Sequence, residues 1–153
     1  MYNQFPRFQH YLGKNLLAID YGTKRTGLSS YCPGKDPYPL LYGKILYKND
    51  QQLCLELSKI IENEVIDVLI LGLPKYLDGN SSEMTKRVES FGTLLKETFQ
   101  KIEFHYQDER LTSYEAEERM KSSPRYNFKV DENELDALSA SIILEDFIKT
   151  PLF

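Results

Sequence analysis

Four acidic side chains stand where short apolar runs or helix starts would present them to solvent. Asp20 closes the run Asn15-Leu16-Leu17-Ala18-Ile19 in "NLLAIDYGTKRTG". Asp108 and Glu109 close "IEFHYQDE", and Asp136 falls in the first turns of the helix-like "ENELDALSASIILEDFIK". Carboxylates that converge repel one another unless a cation binds them. Hard oxygen donors suit Mg²⁺ or Mn²⁺. Two such ions about 4 Å apart would activate a water and stabilise the leaving oxygen of a phosphodiester. Asp20, Glu109 and Asp136 are the expected metal ligands, with Asp108 retained as a catalytic candidate. Lys24 and Arg25 follow Asp20 within five residues and are placed to hold phosphates of a strand lying on such a site. Lys75, Arg110, Arg125 and Lys129 fall on loops around the same acids and complete the expected substrate-binding set.

Each of these residues also has a plainer reading. Asp20 could cap a turn, and Asp136 could sit at the positive end of its helix dipole. Asp108 or Glu109 could pair with Arg110 at the surface. Lys121, Arg125 and Lys129 could be a solvated loop. His105 lies inside a strand pattern without metal-ligand spacing, so a structural role is expected. Cys32 and Cys54 form no CxxC motif and read as buried or free thiols of a reducing compartment. The sequence holds no GxxxxGK[ST] phosphate loop, nucleophile elbow or zinc motif.

The elements that would position the acids follow from periodicity. "NLLAI" and "DVLILGLP" read as buried strands, while "RTGLSSY" and "PLLYGKILY" read as strands separated by the turn-rich "CPGKDPYP". Leu53, Leu57, Ile60 and Ile61 share one helical face, as do Met84, Val88, Phe91 and Leu95. Asn80 with Glu83, and Thr112 with Glu115, have capping-box spacing, and Asp131 is the expected cap of the last helix. Three strands joined by turns imply an antiparallel meander. Two later strands, each reached through a helix, run parallel to the first because such crossovers are right-handed. The expected architecture is α/β, a five-stranded mixed sheet with helices on both faces. Its ligand site lies outside the carboxyl ends of the parallel strands, where all four acids arrive.

Alternation along the fifth strand separates the two neighbouring acids. Ile102, Phe104, Tyr106 and Asp108 share one face, and Glu103, His105, Gln107 and Glu109 the other. The longer side chain of Glu109 favours it as the ligand, although a bend at the strand end would reverse the faces. Both acids therefore stay in the candidate set.

The chain has 153 residues, 41% hydrophobic and 27% charged, which suits one globular domain. No apolar run approaches the roughly 20 residues of a membrane span, and the start lacks a signal-peptide apolar region. A cytoplasmic protein without a membrane partner is expected. Residues 1–14 read as an aromatic-rich extension lying on the surface of a domain at 15–150. The net charge of -4 does not advertise a nucleic-acid binder, but cations clustered on one face, or bound metal ions, would reverse the local sign.

"AIDYGTKRTG", "LILGLPKYLDG", "DERLTSYEAEERM" and "LDALSASIILEDF" occur in this order and together resemble the YqgF/RuvX family. The resemblance spans about residues 15–148. It implies a ribonuclease H-like fold, metal-dependent phosphodiester hydrolysis, and a cytoplasmic role in maturing the 5′ end of the small-subunit ribosomal RNA precursor, with pre-ribosomal particles as partners. Carried over residue by residue, the family's acids fall on Asp20, on Asp108 or Glu109, and on Asp136. Gly22, Arg25 and Gly27 match the first motif's turn, and Gly72, Pro74, Asp78 and Gly79 match the second. Arg110, Thr112 and Ser113 match the third, with serine where threonine is usual. The chain departs from the family in the connection "KSSPRYNFKVDENE", which has no glycine, and in Glu132, which stands at the place of a lysine that Lys129 would have to replace.

Competing functions remain open at this level. Holliday junctions or single-stranded DNA are alternative substrates, because phosphate contacts carry little base information. A non-catalytic nucleic-acid-binding module is a second alternative, disfavoured by the intact Asp20 and Asp136. An ATP-using phosphotransferase of the actin and sugar-kinase type is a third, suggested by "DYGTKRTG" but disfavoured by a length that supplies one domain rather than two.

Overall fold

The computed structural model describes residues 2–75, 83–109 and 112–152. Strands β1 (Leu16–Asp20), β2 (Arg25–Tyr31), β3 (Leu40–Leu46), β4 (Val68–Pro74) and β5 (Glu103–Glu109) form one sheet in the order β3-β2-β1-β4-β5. β1 pairs antiparallel with β2 and parallel with β4, and β4 pairs parallel with β5. The meander and the two parallel crossovers are those expected from the alternation of strand and helix patterns. The helices are α1 (Pro6–His10), α2 (Asp50–Asn63), α3 (Glu83–Thr98), α4 (Thr112–Lys121) and α5 (Glu132–Lys149). Asn49 caps α2 by accepting from the Gln52 amide, and Asp131 caps α5 by accepting from the Asn133 amide. The expected cap at Asn80 lies outside the described residues, as does the side chain of Thr112.

Strand alternation divides the core in two. On one face Leu17, Ile19 and Tyr21 of the β1 segment meet Leu69 and Leu71 of β4, with Leu53 and Leu57 of α2 and Val88, Phe91 and Leu95 of α3 over them. On the other face Leu16, Ala18, Val68 and Ile70 meet Ile143, Leu144, Phe147 and Ile148 of α5. Asp20 continues the second series and therefore stands on the α5 face.

The aromatic residues before β1 belong to this second core rather than lying on the surface. Tyr2 and Tyr11 are buried within it, and Phe5 and Phe8 pack against it. β5 turns polar residues toward this face, and they need hydrogen-bond partners once covered. The Tyr11 hydroxyl donates to Glu103 at 2.5 Å and lies 3.2 Å from His105 Nε2, and the His105 ring is itself 2.5 Å from the Glu103 carboxylate. His105 is structural, as its position in the strand pattern implied. Cys32 and Cys54 are free, buried thiols.

Candidate active site at the carboxyl edge of the sheet

Two glycines flank Asp20 and clear the space in which the other acids approach it. Gly27 is the β2 register partner of Asp20. A Cβ on Gly27 would lie 1.9 Å from the Asp136 carbonyl oxygen, so only glycine lets α5 rest on β2 at this point. On the other side, a Cβ on Gly72 of β4 would lie 3.2 Å from Oε1 of Glu109. Glu109 thus reaches back from the end of β5 over β4, on the face that carries Asp20. Ala137 and Ala140 are buried in the same close helix–sheet contact.

The electrostatics record this convergence. Burial raises the Asp20 carboxyl well above the usual carboxylate range, and the charges of Glu109 and Asp136 raise it further. Among the described residues no ion pair forms to Asp20. Asp136 does have a cation: Arg25 Nε donates to its Oδ2 at 2.8 Å, across 111 positions of sequence. Asp108 faces the other way, is largely exposed, and pairs with Lys75 at 3.4 Å. The strand therefore separates the two neighbouring acids as its alternation requires, with Glu109 toward Asp20 and Asp108 away.

Asp20, Glu109 and Asp136 are hard oxygen donors near enough for the charges of the last two to act on the first, and their chemistry suits a divalent cation. Among the described residues no three acid, histidine or cysteine side chains are gathered tightly enough to enclose an ion. Asp136 is instead engaged by Arg25, so a guanidinium provides part of the positive charge that the donor set requires.

The expected phosphate-binding cations fare differently. Arg25 joins the acid cluster. Lys24 and Lys129 are exposed and form no ion pair among the described residues. Lys75 is engaged by Asp108, and Arg125 pairs with Glu134 at 3.7 Å while lying over the Tyr126 ring. Arg110, Asp78 and Gly79 fall outside the described residues, as do the side chains of Thr112 and Ser113. One group at this edge was not singled out by sequence. Tyr21, next to Asp20 but on the opposite face, meets Tyr47, Asp50 and Arg87. Its only signal was strand parity, which turns the residue after Asp20 toward α2 and α3.

A family model described as "RuvX: Holliday junction resolvase" matches residues 14–150. The chain belongs to the RuvX family. Relatives within reach of this RuvX chain carry the name "Putative pre-16S rRNA nuclease". One, from Maridesulfovibrio salexigens, is 35% identical over 137 residues, covering 87% of this chain and 96% of the relative. Another, from Bacteroides thetaiotaomicron, is 31% identical over 143 residues, covering 90% and 98%. The fold of the RuvX chain is shared with Thermus thermophilus RuvC, solved with a Holliday junction substrate, at a TM-score of 0.54 and 8% identity over 88% of this chain and 94% of that one. It is also shared with the yeast mitochondrial Holliday junction resolvase Ydc2, at a TM-score of 0.51 and 12% identity over 91% and 79%. Among the described residues no helix is long and apolar enough to cross a membrane.

Proposed function

We propose that this RuvX-family chain is a metal-dependent nuclease acting on the 5′ end of pre-16S ribosomal RNA in the cytoplasm, with residues 15–150 as the nuclease domain. The observation that carries the chemistry is the Asp20 carboxyl at the end of β1. It is raised well above its ordinary range by burial, then by Glu109 and Asp136. An acid pressed by two others is stabilised by a cation that its oxygens can ligate. RNA is favoured over DNA by the name of the relatives that match most of both chains.

Asp20, Glu109 and Asp136 would hold Mg²⁺ or Mn²⁺. A metal held there would supply Lewis-acid activation of a water and charge stabilisation at the leaving oxygen. Asp20 would provide oxygen donors from the central strand. Glu109 reaches in from β5 with a longer side chain. Asp136 enters from α5 and is held in orientation by Arg25. Arg25, exposed at the same edge and now paired with Asp136, would be the guanidinium placed to grip two oxygens of a phosphodiester there. Lys24, without an ion pair among the described residues, adds a charge on the same turn. Asp108 stands on the far face of β5, paired with Lys75 from the end of β4, and is given no part in the metal site.

A cleavage panel tests this reading. End-labelled single-stranded RNA, single-stranded DNA and a four-way junction are each incubated with wild type and Asp20→Asn in Mg²⁺ and in Mn²⁺. The expected result is metal-dependent RNA cleavage that Asp20→Asn abolishes. Undiminished cleavage by the variant would remove Asp20 from the chemistry, and cleavage of the junction alone would replace the RNA assignment.

A further inference from the structure

Arg87 of α3 is exposed, yet its guanidinium is held in place. Its Nη2 donates to the Tyr21 hydroxyl at 3.2 Å and to the Tyr47 hydroxyl at 3.3 Å. Its Cζ lies 5.8 Å from the centroid of each ring. Both phenols spend their single proton on the same acceptor: Tyr21 donates to Asp50 Oδ1 at 2.7 Å and Tyr47 at 2.8 Å. Their oxygen lone pairs are thereby turned toward Arg87. The rings are fixed in turn, since Tyr21 is buried against Phe91 and the Tyr47 amide donates to the Lys24 carbonyl at 2.9 Å.

The direct partners of Arg87 are neutral, as are those of Arg7, which lies over the Phe147 ring and donates to the Phe147 carbonyl far from this edge. Arg25, Arg119 and Arg125 each meet a carboxylate, at 2.8, 2.8 and 3.7 Å. Among the described residues Arg87 meets none. It is therefore positioned without a direct ion pair among the described residues, the Asp50 carboxylate being reached only through the two phenols, and among those residues no hydrogen bond from its Nε or Nη1 competes with a planar, two-oxygen anion. Tyr21 is the residue after Asp20, so this guanidinium stands at the same carboxyl edge as the acids but on the α2/α3 face. Lys24, also without an ion pair among the described residues, lies on the turn between them.

We propose that Arg87, held by Tyr21 and Tyr47, grips a backbone phosphate of the substrate strand on the side of the sheet edge opposite α5. The strand then crosses the β1–β2 turn, with its scissile phosphate at Asp20 and a neighbouring phosphate at Arg87. This rests on the nuclease reading above and adds a second contact face to it.

The test is fluorescence anisotropy of a labelled single-stranded RNA across a salt series, in Ca²⁺ to fill oxygen sites. Wild type is compared with Arg87→Gln, Arg87→Lys and Lys101→Gln. Lys101 is exposed just before β5, at the opposite edge of the sheet. Arg87→Gln is expected to flatten the slope of log affinity against log salt by about 0.7, one phosphate contact on a single strand, and to raise KM for cleavage several-fold. Arg87→Lys should keep the slope but bind more weakly, because it retains the charge and loses the fork. Lys101→Gln should match wild type. Melting temperatures equal to wild type show that the exposed substitutions leave the fold intact. If wild type binds and cleaves while Arg87→Gln keeps the wild-type slope and KM, this contact is wrong and the nuclease reading stands. Equal flattening by Lys101→Gln also overturns it, as diffuse attraction. If wild type binds no nucleic acid, both readings fall together.

Discussion

Glu109 lies across Gly72: the missing Cβ of that glycine would come within 3.2 Å of the carboxylate and 2.5 Å of Ile143 Cδ1. Ile143 is buried in the α5 core and has little room to yield. Gly72→Ala should therefore overpack the contact, at a cost of about 1–3 kcal/mol, and push Glu109 away from Asp20. The expected result is a lowered melting temperature together with a fall in kcat of at least about tenfold, equivalent to about 1.4 kcal/mol of lost transition-state stabilisation. Wild-type kcat in a folded Gly72→Ala protein would show that the position of Glu109 over β4 does not matter.

The raised Asp20 carboxyl has a consequence for stability. Its folded pKa lies above its unfolded value, so between the two the native state binds more protons than the unfolded chain. Stability is then lost as pH rises from about 4, the ordinary aspartate value, through the raised folded pKa. Asp20→Asn removes this penalty. In metal-free buffer the variant should melt above wild type at pH 7, and the difference should shrink toward pH 4. For a chain of this length each kcal/mol corresponds to about 2–4 °C. A variant that melts below wild type at pH 7 would mean that the carboxylate is already compensated in the metal-free protein.

Arg25 competes with any cation for Asp136. Arg25→Ala should therefore lower the melting temperature in metal-free buffer, where the acids lose their partner, and enlarge the stabilisation produced by Mn²⁺. Thermal shift across a Mn²⁺ titration measures both effects. A smaller Mn²⁺-induced shift in the variant than in wild type would show that the ion does not displace Arg25.

Tyr11 ties the N-terminal segment to β5 through Glu103 and His105. Tyr11→Phe keeps the buried ring and removes the donor, so a loss of about 1–3 kcal/mol is expected in chemical denaturation, with cleavage unchanged. Stability equal to wild type would mean that water replaces the hydroxyl at no cost.

The sheet was legible because its strands announce themselves locally. "LLAI" and "VLILGL" are short continuous apolar runs, too short for a helix and suited to strands covered on both faces, and alternation along Glu103–Glu109 already placed Asp108 and Glu109 on opposite faces. What the sequence could not supply were pairings between distant side chains. Arg25 reads as a free phosphate-binding cation until α5 brings Asp136 to it. Tyr2 and Tyr11 read as surface aromatics until the polar face of β5 gives the Tyr11 hydroxyl a partner and α5 covers both rings. Arg87 looks like any exposed helix cation, because its two phenol partners come from residues 66 and 40 positions away. Periodicity reports which face a residue takes, and these contacts depend on what the facing element carries.

Single-turnover cleavage of the labelled RNA by Glu109→Gln and Asp108→Asn, side by side in Mg²⁺, tests the site most directly. The two residues are adjacent in sequence, both acidic, and on opposite faces of one strand. The account predicts that Glu109→Gln lowers the cleavage rate by at least about a hundredfold, as expected for loss of a metal ligand, while Asp108→Asn stays within a few-fold of wild type. A large loss in Asp108→Asn with Glu109→Gln near wild type would contradict the assignment of the acid cluster to the α5 face.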